Sequence, residues 1–226
     1  IEQQINALNQ LDGGPLSAIA SCVWAHFQDS IERAIIQPQP VWTTEDAVQW
    51  SQDSLLGGGM MLTPGWLCPR EIIDRAGPWD ESLSLHDDGE YFTRVLLKAK
   101  KQIHVPEATV YYRTVADSLS RRRDDRAIES AFSVCEQRAR HLLKVDSSRR
   151  TRRALATLMG TFVYEFANRR PDLAARANDH IRQFGVNPAN CIGGRAFRTL
   201  RRFLGWTLAV RCRHLRNHQP IDPAVA

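Results

Sequence analysis

The sequence predicts an α/β fold over its first half and an all-helical region over its second. Three observations carry this. Strand-like runs rich in Val, Ile and Tyr occur only before residue 116, at 16–27, 102–106 and 108–115. Past Ser118 the apolar residues recur at helical spacing through 124–145, 149–169, 171–184 and 194–218. The charge also changes sign. Residues 1–120 carry 8 Lys or Arg against 16 Asp or Glu, a net −8, whereas residues 121–226 carry 22 against 9, a net +13. We therefore divide the chain into 1–118 and 119–226, an acidic half suited to cations or catalytic carboxylates and a basic one suited to anionic partners.

Each element follows from local chemistry. Residues 1–11 read as a helix that opens abruptly at Ile1, which predicts a longer protein whose N-terminal portion precedes this chain. Asp12-Gly13-Gly14-Pro15 ends that helix. The run 16–27 suits a buried strand, with a helix as the alternative. Thr44, followed by Glu45 and Asp46, reads as the N-cap of a short helix. Gly57, Gly58 and Gly59 cannot form a stable helix interior, and they predict a close backbone approach followed by a short strand, Met60 to Leu62. Pro69 starts and Gly77 ends a helix over "PREIIDRAG". Residues 77–83 form a turn-rich loop, and a helix follows over 87–100.

Composition excludes several classes. No apolar run of 18 residues occurs, so no membrane-spanning helix is predicted. The start has neither the charge nor the apolar stretch of a signal peptide. Five dispersed cysteines without a Cys-x-x-Cys pair predict free thiols in a reducing cytosol rather than disulfides or zinc.

The stretch "LSLHDDGEYFTRVLLKAK" holds the strongest chemical signal: His86, Asp87, Asp88 and Glu90 crowd the start of a helix. Capping needs one acid, and this stretch supplies three. A helix cap, a metal site and a catalytic base are all open readings. Glu90 and Arg94 are four apart, the spacing of an intrahelical ion pair. His86 is a candidate to ligate a metal or tune Asp87, although a lone His more often does neither. His26 and His104 lie in strand-like runs and read as structural.

The motif order around this cluster is specific. "GGGMML", "REIIDRAGPWDESL", "DDGEYFTR" and "HVPEATVYYR" succeed one another. Together they resemble the C-terminal half of the catalytic domain of glycosyltransferase family 2, across roughly residues 1–120. The resemblance implies part of a GT-A fold, a Rossmann-like mixed sheet with helices, and inverting transfer of a sugar from a nucleotide-sugar to a hydroxyl acceptor. That acceptor would be a glycan, a polysaccharide or a lipid-linked group. It implies Asp88 as general base and Asp87 as its electrostatic neighbour. Substrate contacts are expected from Gly57, Gly58, Gly59, Trp79, Asp80, Glu90 and Arg113. Each has a plain alternative: a tight turn for the glycines, loop packing for Trp79, a surface position for Arg113. The family's Asp-x-Asp metal motif does not occur here. The resemblance thus implies a Mg or Mn ion held mainly by residues upstream of this chain, and a chain inactive by itself.

The basic half adds a second expectation. Phe197, Leu200, Leu204 and Leu208 form a helical stripe with Phe203 and Trp206, surrounded by arginines. This pattern over 194–218 fits peripheral contact with an anionic membrane at the cytoplasmic face, with packing on the first half as the alternative. No nucleic-acid module is recognisable. A non-catalytic basic adaptor, binding membrane or nucleic acid, is the competing reading of the whole chain. A degenerate transferase that binds sugar without turnover is a third.

Overall fold

The computed structural model describes residues 1–115 and 122–217. The C-terminal stretch "QPIDPAVA", which the sequence reads as a frayed tail, and the expected division between residues 118 and 119 lie outside these residues.

A three-stranded mixed sheet organises the first half, in the order β2-β1-β3. β1 (Ile19–Phe27) pairs parallel with β3 (Gln102–Arg113) and antiparallel with the two-residue β2 (Ile35–Ile36). Its near-continuous apolar run, "IASCVWAHF", fits a central strand covered on both faces; the expected strand at 16–27 is thus present from Ile19, with Leu16 and Ser17 in a short 3-10 turn before it. α1 (Glu2–Asn9) covers one face, where Leu8 meets Ala20, Cys22 and Val105. Gln4, on the buried side of α1, donates to the Gly65 carbonyl at 3.0 Å. α2 (Ala47–Asp53), α3 (Arg70–Ala76) and α4 (Asp87–Ala99) cover the other face, around Trp24, Trp50, Ile72 and Val95.

Three local expectations are corrected. Met60–Leu62 forms no strand. Gly59, at φ 100°, turns the chain, and the Met60 carbonyl accepts the Trp24 indole N–H at 3.4 Å. Contact with the sheet comes instead at Leu67, through an isolated bridge to Ala20. The runs 102–106 and 108–115 are one strand. Its register jumps between Val105 and Thr109, where Pro106 has no N–H to give to the ladder. The cap of α2 is Asp46, not Thr44: its carboxylate accepts the Gln49 N–H at 2.8 Å, while the Thr44 hydroxyl donates to Asp53.

The second half is helical: α5 (Asp125–Leu143), α6 (Arg149–Phe166), α7 (Pro171–Phe184) and α8 (Arg195–Asn217). Their core gathers Ile128, Phe132, Leu142, Leu155, Met159 and Phe162. Leu85, from the loop before α4, is part of that same core, and Leu97 of α4 packs against it. The apolar stripe expected of α8 is not continuous. Gly205, at φ 73° and ψ 178°, kinks the helix. Phe197, Trp206 and Val210 then pack inward, whereas Phe203, Leu204 and Leu208 stay exposed. All five cysteines are free thiols, and burial pushes Cys68 and Cys135 up to about 12. Among the described residues no helix is long and apolar enough to cross a membrane.

Candidate functional site

The acidic cluster begins at α4. Only Lys100 and Lys101 separate α4 from β3, so the helix must reverse direction against the strand that follows it. Its N-terminus is thereby directed to the end at which the parallel pair β1 and β3 terminate. Ligands of open α/β sheets bind at that end. His86 makes the entry turn, in the left-handed region at φ 62° and ψ 19°, and Asp87, Asp88 and Glu90 follow within the first helical turn.

The three carboxylates have different surroundings. Asp87 is half-buried and accepts the Trp79 indole N–H at 2.9 Å. Asp88 is exposed; one oxygen accepts the Gly89 N–H at 2.8 Å and the other the Thr63 hydroxyl at 3.3 Å. Glu90 is enclosed, its side chain 2% accessible. Arg94 grips it in a bidentate pair at 2.7 and 3.0 Å, and His141 of α5 reaches it at 3.0 Å. The i,i+4 pair expected between Glu90 and Arg94 is therefore present. The same guanidinium also donates to the carbonyls of Ala76, Gly77 and Pro78, fixing the loop that carries Trp79.

Arg138 of α5 supplies further positive charge. Its Nε donates to Thr93 at 3.0 Å, and its field acts on both Asp88 and Glu90. Gly89 lies beside this guanidinium: a Cβ placed on it would meet an Arg138 nitrogen at 3.4 Å, an ordinary contact distance. Arg94 and Arg138 place two guanidinium groups beside the three acids of the helix start. Two histidines are held neutral by desolvation. His141 has a pKa below the ordinary value through burial, against the pull of Glu90. His86 also lies below it, through desolvation.

The other expected contacts divide. Trp79 is at the cluster, but one ring face is stacked on Tyr91 at 4.2 Å. Asp80 faces its own loop and α5. It accepts the Ser82 hydroxyl at 2.6 Å and the Gln137 amide at 3.1 Å, and these bonds lower its pKa. Glu90, engaged on both oxygens and enclosed, is a support for the site rather than a surface that meets substrate. The glycines answer to internal packing. A Cβ on Gly57 would lie 2.8 Å from Cys191, one on Gly58 2.8 Å from the Asp53 carbonyl, and one on Gly59 would strike Gln39. Arg113 is exposed at the end of β3, its guanidinium 5.2 Å from the centre of the Phe27 ring. Thr63, Arg138 and His141 were not foreseen.

Asp88 stands on an open surface. An open groove lies between α6, α7 and α8, and none of the acidic cluster lines it. Among the described residues no three His, Cys, Asp or Glu side chains are grouped to hold a metal ion. Comparisons with family models, with curated proteins and with solved structures gave no match to this chain.

Proposed function

We propose that this chain carries the acceptor-activating side of an inverting glycosyltransferase, with Asp88 as general base. The observation that carries the reading is the contrast within the acid pair. Asp87 is committed to Trp79, while Asp88 is exposed on a rigid helix start, held by one hydroxyl and one backbone N–H. The motif order of the sequence supplies the reaction class. A hydroxyl of a glycan, polysaccharide or lipid-linked acceptor gives its proton to the Asp88 carboxylate. Its oxygen attacks the anomeric carbon of a nucleotide-sugar, and the bond to the nucleotide diphosphate breaks on the opposite face, inverting the centre. The hydroxyl becomes acidic only as the new C–O bond forms, so the base needs position more than strength. Trp79 and Asp87 hold the geometry, with Arg94 fixing the loop beneath them.

The test uses the native protein that contains this chain, read as nucleotide release from a panel of nucleotide-sugars with mixed glycan acceptors. Asp88→Asn should lower turnover by about 10²–10⁴-fold, the range of a positioned general base. Asp87→Asn should cost less. Undiminished transfer by Asp88→Asn would remove the base assignment. Absence of nucleotide release with every donor would favour the adaptor reading.

A further inference from the structure

α6, α7 and the second part of α8 enclose an open groove of about 1510 Å³. Pockets for compact ligands span about 300–1,000 Å³, so this space suits a longer molecule. Its two ends differ. α6 and α7 are joined by a short turn and pack antiparallel, which sets the start of α6 beside the end of α7. One end therefore gathers Arg149, Arg150 and Arg153 with Arg182, and the other Val163, Ala167, Ala174 and Val210, with a single arginine, Arg211, next to Val210. From Arg153 to Ala167 the helical rise amounts to about 21 Å, close to an extended acyl chain.

The arginines are unevenly satisfied. Arg150 pairs with Asp53 and Arg182 with Asp179, whereas Arg149 and Arg153 make no ion pair among the described residues. Two exposed cations at one end of an apolar trough match an anion with a hydrocarbon tail. A second feature lies beside it. Phe203, Leu204 and Leu208 are 79%, 40% and 50% exposed around the Gly205 kink, and Leu208 follows Thr207, which lines the groove. Exposed apolar side chains flanked by Arg198 and Arg202 have the character of a helix lying in a bilayer interface. Nucleic acid fits less well: four of the five lining arginines cluster at one end rather than tracking a backbone, and the aromatic in the lining, Trp206, is 7% exposed.

We propose that the groove binds a membrane phospholipid, its phosphate between Arg149 and Arg153 and one acyl chain along Val163, Ala167 and Val210, with Phe203 and Leu208 entering the bilayer. This reading is independent of glycosyl transfer.

The test titrates the full chain by calorimetry with lysophosphatidic acid below its critical micelle concentration, beside lysophosphatidylcholine and inorganic phosphate. Lysophosphatidic acid should saturate at one molecule per chain, with inorganic phosphate at least about 100-fold weaker for lack of the buried chain. Arg149→Glu combined with Arg153→Glu should weaken it about tenfold or more. Ala175→Trp, at an exposed position of the lining, should do the same by obstruction, with circular dichroism and the melting temperature confirming the fold. Phe203→Ser with Leu208→Ser should lower sedimentation with phosphatidylcholine–phosphatidylglycerol vesicles yet leave monomeric lipid affinity unchanged. Asp88→Asn should bind lipid like the parent. Any one of four results would overturn the proposal: no saturable binding, equal affinity for inorganic phosphate, tighter displacement by a single-stranded oligonucleotide, or a dimer occupying the groove that lipid does not dissociate.

Discussion

At the scale of single residues, neighbouring carboxylates of similar sequence character have opposite roles. Asp88 is exposed and replaceable without harm to the fold. Asp88→Asn should keep its urea midpoint within about 0.5 kcal/mol of the parent. Glu90, two positions on, is enclosed with Arg94 and His141. Glu90→Ala would leave a guanidinium partly buried without its carboxylate, at a cost of about 3–5 kcal/mol in urea unfolding. An unchanged midpoint would show that the pair adds nothing to stability. Spacing alone made the Glu90–Arg94 pair legible, because four residues bring two side chains onto one helical face. The contacts with Arg138 and His141 were not legible. They come from α5, about fifty residues downstream, and no local pattern encodes which face of that helix meets α4.

Helices were the elements most readable from sequence. Pro69 and Gly77 bracket α3, Gly185 ends α7 in the left-handed region, and the predicted helical spans match α5 to α7 within a few residues. Strand pairing was less readable, since a break such as Pro106 looks the same whether it separates two strands or bulges one. Connections between elements also carry stability that sequence does not advertise. Asp146, between α5 and α6, accepts the Ser148 N–H at 3.1 Å, the Ser148 hydroxyl at 2.7 Å and the Gln52 amide of α2 at 2.9 Å, and also the Thr151 hydroxyl. It thus braces Ser148, the N-cap of α6, and ties that helix to the sheet-bearing half. Asp146→Ala should cost about 1–3 kcal/mol with an unaltered denaturant slope. A loss below about 0.5 kcal/mol would mean that water replaces those donors without penalty.

At the scale of the whole molecule, the histidines and carboxylates together set an acid response. Burial lowers the pKa of His104, which is stacked on Trp42, and of His141 from the ordinary 6.5. Below that pH the unfolded chain takes up protons that the folded chain resists, so stability should fall as the medium is acidified. Hydrogen bonds lower Asp80 and Asp146 from 3.8. Their contribution is complete above that value and is lost as pH falls through the folded pKa values. Urea midpoints should therefore decline in two stages, the first beginning near pH 6.5 and diminished in His141→Gln. A flat profile down to about pH 4 would contradict the first stage. The charge asymmetry and the passage from mixed to helical structure were visible in composition. The packing between the halves was not, for it rests on shape and on isolated polar contacts.

That packing has a consequence for inheritance. Ser130 of α5 accepts the backbone N–H groups of Ser84 and Leu85, Gln137 grips Asp80, and His141 reaches Glu90. The helical half thus braces the loop and helix that present Asp88. It is not a cargo that recombination could trade for another tail while leaving the first half intact. A graft of residues 1–115 onto a foreign partner would have to bring a surrogate for α5, and changes on the two sides of this seam are expected to arise in concert.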